Sequence, residues 1–331
     1  MLVEITMITQ SKIDLEVLKI IEKIKKRMTT LGHPPITQLT AEQGRFFFQE
    51  AIKLYDLRLE VGVKFENQLI KRPHSPAIPI RIYRPICDKG VDLSLPILVY
   101  FQGGGWVFGS LDSADDTCSF LAKYGQCIVI SVDYRRSPEH KYPAAVHDAL
   151  DAIYWADQQA ASLGGDRQRL ALGGESAGGN LAAVAAIQLR NERKISPIAQ
   201  LLITPVTQYG FETNSYQAGH QLGLSKETMA WFWQQYLEDF SQAEAWQVSP
   251  LRVKDASQLP PAIIAVAEQD PLLDDGLMYG DRLRSFGVPV KILRYPTLIH
   301  SFIRSIHVVQ AAKVACHEIA NSLKTQFYGL N

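Results

Sequence analysis

The sequence predicts an α/β protein, a mostly parallel, twisted sheet flanked by helices and topped by a helical cap. Three observations carry this. Short apolar runs recur along the chain with helix-like segments between them, and strand alternating with helix builds a doubly wound parallel sheet. The rhythm breaks once, between Thr204 and Pro250, where no strand-like run occurs. Finally, 331 residues at 47% hydrophobic content suffice for a well-buried core.

In order along the chain, residues 13–28 place Ile13, Val17, Ile20, Ile21, Ile24 and Met28 at helical spacing, opposite Lys19, Glu22, Lys23, Lys25 and Lys26. That is an amphipathic helix. A second helix is expected over Thr40–Asp56, with Phe46, Phe47 and Phe48; the pair reads as packing or as a lid over a site. Val61–Leu69 and Ile78–Tyr83 read as an antiparallel edge. Leu95–Phe101, Cys127–Val132, Leu170–Leu172, Gln200–Thr204, Ala262–Ala267 and Val290–Arg294 are apolar enough for strands buried on both faces. Helices are expected over Ala114–Tyr124, Pro143–Ala161, Ala177–Arg193, Asp275–Phe286 and Ser305–Thr325. In the interrupting stretch Lys226–Phe240 is helical and holds Trp231, Phe232, Trp233 and Tyr236. Packed against the N-terminal helices, it would form a cap above the carboxyl edge of the sheet. The expected division is therefore 1–60 and 205–246 as cap, with 61–204 and 247–331 as the α/β core.

Charge narrows the partners. The chain has 34 basic and 34 acidic residues, so no net field favours nucleic acid or an anionic membrane. No apolar run reaches the length of a bilayer span, and the N-terminus has no signal-peptide pattern, which points to a cytoplasmic protein without stable membrane insertion. Cys87, Cys118, Cys127 and Cys316 show no C-x-x-C pairing and read as free buried thiols. No H-E-x-x-H arrangement occurs, so neither a metal nor another cofactor is expected.

The chemistry is concentrated at Gly174-Glu175-Ser176-Ala177-Gly178, where an apolar strand turns at once into an Ala/Leu-rich helix. A nucleophile elbow needs this context. The turn strains the serine backbone and exposes Oγ, and a Cβ at Gly174 or Gly178 would collide where strand and helix nearly touch. The helix also directs its N-terminal amides at any anion forming beside Ser176. G-x-S-x-G alone also matches other Gly-rich turns, but neither G-K-[ST] nor G-x-G-x-x-G accompanies it.

An acyl-transfer serine needs a base, an acid that orients the base, and donors for the oxyanion. Gln102-Gly103-Gly104-Gly105-Trp106 leaves the strand ending at Phe101 with its amides unshielded. With the N–H of Ala177 this loop would complete an oxyanion hole. The acid is expected after Ala262–Ala267, where Asp270 is the choice over Glu268, Asp274 and Asp275, which read as cap or helix-start residues. The base is expected in the loop after Val290–Arg294, and His300 is the only histidine in Tyr295–Phe302. His33, His74, His140, His147, His220, His307 and His317 read as structural.

With these residues in place, the chain resembles the hormone-sensitive-lipase-like family (family IV) of α/β-hydrolase esterases, from about residue 78 to the end of the last helix. The resemblance rests on Gln102–Gly105, Asp133-Tyr134-Arg135-Arg136-Ser137-Pro138-Glu139, Pro143-Ala144-Ala145 with Asp148, Gly174–Asn180, Asp270-Pro271-Leu272 and His300. It implies the α/β-hydrolase fold with a helical cap and a carboxylesterase that forms an acyl-enzyme from short-to-medium acyl esters. Ser176, Asp270 and His300 become the triad. Gly104, Gly105 and Ala177 become the oxyanion donors, with Gln102 and Gly103 supporting their loop. Family members also commonly pair as homodimers. Four positions depart: Gln102 replaces a loop-bracing histidine, Glu175 replaces aspartate, and Thr297 and Ser301 replace glycines. An amidase or lactonase would use the same machinery. A small-molecule receptor on this fold would lack a triad member.

Overall fold

In a computed structural model, which describes residues 13–86, 94–218 and 222–330, the chain forms one eight-stranded sheet in the order β1-β2-β4-β3-β5-β6-β7-β8. The strands are β1 Val63–Arg72, β2 Ser75–Pro85, β3 Leu95–Phe101, β4 Ile128–Val132, β5 Gly165–Glu175, β6 Ala199–Ile203, β7 Ala262–Gln269 and β8 Val290–Ile299. β2 runs antiparallel to β1 and β4, and every other neighbouring pair is parallel. Nine helices among the described residues are labelled α1 Leu15–Thr30, α2 Ala41–Ile52, α3 Asp115–Gly125, α4 Ala144–Gln159, α5 Ala177–Glu192, α6 Asn214–Gln217, α7 Lys226–Tyr236, α8 Leu273–Ser285 and α9 Gln310–Tyr328.

The two-residue period of each strand divides the interior into two cores. On β3, Ile97, Val99 and Phe101 face α4, α5 and α8. Leu98 and Tyr100 face α3 and α9, with Val17, Ile20 and Ile21 of α1 in the same cluster. The order also fixes where a site can form. β3 connects to β4 on one side of it, while β5 lies on the other, so the loops leaving β3 and β5 diverge. Ligands in open α/β sheets bind at such a switch point, beyond the carboxyl ends of the strands.

The segments before β1 and between β6 and β7 meet above this edge. Trp231 Nε1 of α7 donates to Leu39 O at 3.3 Å, and Arg45 of α2 reaches Val107 O, Ser137 O and Glu139. The expected aromatic cluster is buried. Thr40 starts α2 with a capping box completed by Gln43.

Several element boundaries depart from expectation. The expected Leu170–Leu172 strand begins at Gly165 and runs to Glu175. β8 continues to Ile299, so Tyr295–Ile299, expected as loop, is strand. A register shift after Ala267 lets Gln269 pair with Ile299. Ser305, expected to open the last helix, instead ends a 3-10 turn over Phe302–Ser305. That helix begins at Gln310, whose N–H donates to Glu16 Oε2 of α1 at 2.6 Å. Cys118, Cys127 and Cys316 are buried free thiols, while Cys87 and His220 lie outside the described residues. Among the described residues, no helix is long and apolar enough to cross a membrane, and no group of three His, Cys, Asp or Glu is placed to hold a metal ion.

Candidate active site

β5 delivers the chain to Glu175 and α5 begins at Ala177, leaving Ser176 between them at φ 55°, ψ −118°. A non-glycine residue there carries strain of roughly 1–3 kcal/mol. Three backbone bonds hold it. Ser176 N donates to Ile203 O at 2.9 Å, and Ser176 O accepts from Asn180 N at 3.0 Å and Val206 N at 3.2 Å. A Cβ on Gly174 would stand 2.3 Å from the Gly178 carbonyl, and one on Gly178 only 1.9 Å from Phe101 O. Glycine is thus required at both positions by contact. Ser176 occupies the N-cap of α5, yet its side chain makes no capping bond. Its hydroxyl is turned to His300 instead.

The three residues expected to act together converge. His300 Nε2 lies 3.0 Å from Ser176 Oγ, and His300 Nδ1 lies 2.7 Å from Asp270 Oδ2. The carboxylate can only accept from Nδ1–H, which leaves Nε2 as the acceptor for the serine proton. Asp270 follows β7 and is itself oriented by Leu272 N, which donates to Oδ1 at 2.9 Å. All three side chains are nearly enclosed. Because β8 extends to Ile299, the imidazole hangs from the end of a paired strand rather than from a long loop.

The glycine loop expected to receive an oxyanion lies beside them. Gly104 and Gly105 line the cavity with Ser176, at φ +125° and +59°, and their amides engage no acceptor among the described residues. As first residue of α5, Ala177 has an amide without an intrahelical acceptor. Gln102 and Gly103 sit behind the loop. With its side-chain amide oriented so that Nε2 donates and Oε1 accepts, Gln102 bonds Ser110 O at 2.5 Å and Ser110 N at 3.1 Å, and the Gln102 backbone carbonyl accepts from Tyr134 Oη at 2.8 Å. A primary amide therefore takes the bracing position. The loop is also pressed from above: Trp106 stacks on Tyr236 of α7 at 4.1 Å and 5°.

The cavity over Ser176 measures about 380 Å³ and is mostly apolar, walled by Ile24 of α1, Phe48 and Ile52 of α2, Leu224, and Phe232 of α7. Its size is that of a small-molecule site. A larger, more open groove of about 670 Å³ runs along Arg190, Arg252 and Lys254 at the far end of α5, without a serine–histidine pair.

The competitors of Asp270 have other work. Glu268 pairs with Arg294. Asp274 and Asp275, expected as cap or helix-start residues, do lie in the first turn of α8 and in addition bond the β6–β7 segment: Asp274 Oδ2 accepts from Ser215 N at 2.9 Å, and Asp275 Oδ2 from Thr207 N at 2.8 Å. Burial raises the Asp275 carboxyl from 3.8 to about 7. Nothing in the sequence singles out Arg304. It bonds Glu175 beside Ser176, across 129 positions, and no local pattern could announce that.

Comparison with known proteins fits this geometry. A family model of the alpha/beta hydrolase fold matches residues 98–304. The chain is 36% identical to the ethyl acetate hydrolase of Pseudomonas putida, over 84% of this chain and 88% of that protein. It is 37% identical to the carboxylesterase NlhH of Mycobacterium tuberculosis, over 72% and 75%. Among solved structures it is similar to an ester-hydrolase from the metagenome of Lake Arreo, with a TM-score of 0.88, 33% identity and coverage of 95% of this chain and 99% of that one. A thermostable esterase from Pseudomonas putida gives 0.87 at 31% identity, over 96% and 98%. The chain belongs to the α/β-hydrolase family, in its hormone-sensitive-lipase-like branch.

Proposed function

We propose that this protein is a carboxylesterase that hydrolyses short-to-medium-chain acyl esters through a Ser176–His300–Asp270 triad. The observation that carries the reading is the pair of distances around one imidazole, 3.0 Å to Ser176 Oγ and 2.7 Å to Asp270 Oδ2. His300 Nε2 takes the proton as Oγ attacks the acyl carbon, and Asp270 stabilises the imidazolium that forms. The tetrahedral oxyanion is received by the amides of Gly104, Gly105 and Ala177, with the positive end of the α5 dipole behind them. His300 then protonates the leaving alkoxide, and an acyl-enzyme remains on Ser176. Water attacks that ester by the same route, with His300 again as base, and releases the acid.

The segments before β1 and between β6 and β7 serve as the cap that walls the acyl site. The size and apolar walls of the cavity favour acyl groups of limited length, in keeping with relatives named as esterases and as an ethyl acetate hydrolase. Buried free thiols at Cys118, Cys127 and Cys316 suit a reducing cytoplasm.

The test is Ser176→Ala on p-nitrophenyl butyrate. Turnover should fall by about a thousandfold or more, since triad members act as a unit. A variant as fast as the parent would remove the assignment.

A further inference from the structure

Glu175 and Arg304 form a buried ion pair that the proposed chemistry leaves unused. They are only 3% and 8% exposed. Arg304 directs both Nη2 and Nε to Glu175 Oε2, at 2.8 and 3.2 Å. Burial pushes the Glu175 carboxyl up, but the Arg304 guanidinium, the Ser301 hydroxyl and the neighbouring His300 together more than offset this, so the net displacement is downward and the pair is charged. So deep an ion pair is a poor source of stability, because desolvating two ions consumes most of their attraction.

Its location is more telling. Glu175 immediately precedes Ser176, and Arg304 sits in the 3-10 turn that follows His300. Gly103 of the oxyanion loop rests on the pair so closely that a Cβ there would stand 2.8 Å from Glu175 Oε2 and 3.0 Å from Arg304 Nη2. On another side, the guanidinium carbon lies 5.1 Å from the centre of the Phe48 ring on α2. Nucleophile, base, oxyanion loop and cap therefore meet on one pair of side chains.

We propose that Arg304, acting through Glu175, is a positioning residue that sets the imidazole over Ser176 Oγ and holds the oxyanion loop at its working height. Neither side chain need touch a reacting atom. Residues 300–305 leave the end of β8 through a turn in which Ser301 is left-handed at φ 60°. Arg304 anchors that turn directly to the strand bearing the nucleophile. A relay built on a 3.0 Å contact is sensitive to such an anchor, since a misplacement of about 1 Å can cost on the order of a hundredfold in rate.

The inference rests on the esterase reading, and the experiment separates the two. Wild type, Ser176→Ala, Arg304→Met, Glu175→Gln, Arg304→Lys, Glu175→Asp and the Arg304→Met/Glu175→Gln double variant are assayed as full chains on p-nitrophenyl butyrate. Active sites are titrated with a fluorophosphonate, and Tm is recorded alongside. Arg304→Met and Glu175→Gln should lower kcat per titrated site by about 10- to 100-fold with KM within about threefold of wild type. The double variant should be about as slow as either single one, because the two act together. Arg304→Lys and Glu175→Asp should recover part of kcat. If the neutral variants fail to fold, this conservative pair decides alone: reduced kcat at unchanged KM supports the proposal, and wild-type kcat overturns it. Wild-type kcat per site in Arg304→Met or Glu175→Gln overturns it whatever Tm does, as does a loss carried by KM. Turnover surviving in Ser176→Ala would remove the esterase reading and this proposal with it.

Discussion

At Gly105 a single hydrogen stands in for a side chain because two constraints coincide. The backbone is left-handed at φ +59°, and a Cβ would lie 2.1 Å from the Phe232 ring. Gly105→Ala should therefore lower kcat of ester hydrolysis by about tenfold or more, since it displaces a proposed oxyanion donor. Adding Phe232→Ala should restore only part, because the clash is relieved while the left-handed backbone still costs roughly 1–2 kcal/mol. Steady-state kinetics of the three variants check this, and full recovery in the double variant would show that contact alone selects glycine. Residues of this kind differ in how far the sequence discloses them. Ser176 is legible because its elbow is a local pattern, and Asp270 and His300 because each ends a recognisable apolar strand in the order the chemistry uses. Arg304 carries no such signal. Its partner lies on another strand, and only the folded chain shows that an arginine four positions after the histidine reaches the residue before the nucleophile.

Between elements, the same carboxylate that looks like a helix-start residue in sequence turns out to fasten two segments together. Asp275 lies in the first turn of α8, yet its Oδ2 accepts from Thr207 N, and Thr207 Oγ1 donates to Asp275 O at 2.9 Å. Helix periodicity locates α8 but says nothing of which neighbour its first turn will meet. Burial raises this carboxyl to about 7 from an ordinary 3.8. Between those values the folded protein holds a proton that the unfolded chain has released, so stability falls as pH rises through the window and the loss is complete above it. Asp275→Asn keeps an acceptor for Thr207 N and cannot ionise. Its Tm relative to wild type should therefore be higher at pH 8 than at pH 4.5, as calorimetry at the two values would read. An equal difference at both would show that Asp275 does not titrate in this range. Asp116, likewise raised to about 7 by burial, should leave part of the slope in the variant.

Over the whole molecule, the layers of the sheet are what periodicity could disclose, whereas the proposed acyl site belongs to no single stretch of chain. It is enclosed by α1 and α2 from the N-terminus, by Leu224 and α7 from the β6–β7 segment, and by the core itself. Apolar spacing identifies α1 as amphipathic without revealing that Ile20 packs inward while Ile24 reaches the cavity wall. That enclosure fixes how the enzyme should grade its substrates. Each acyl methylene taken from water into such walls contributes about 0.8 kcal/mol, roughly fourfold in kcat/KM when the transition state realises it. Across a series of p-nitrophenyl esters, kcat/KM should climb with chain length until the cavity of about 380 Å³ is filled, and then drop as further carbons must displace the cap. Ile24→Ala and Leu224→Ala, cutting back opposite pieces of the wall, should each move the optimum to longer chains. An optimum identical in wild type and both variants would mean that the acyl group lies elsewhere, and that the two helical segments do not bound it.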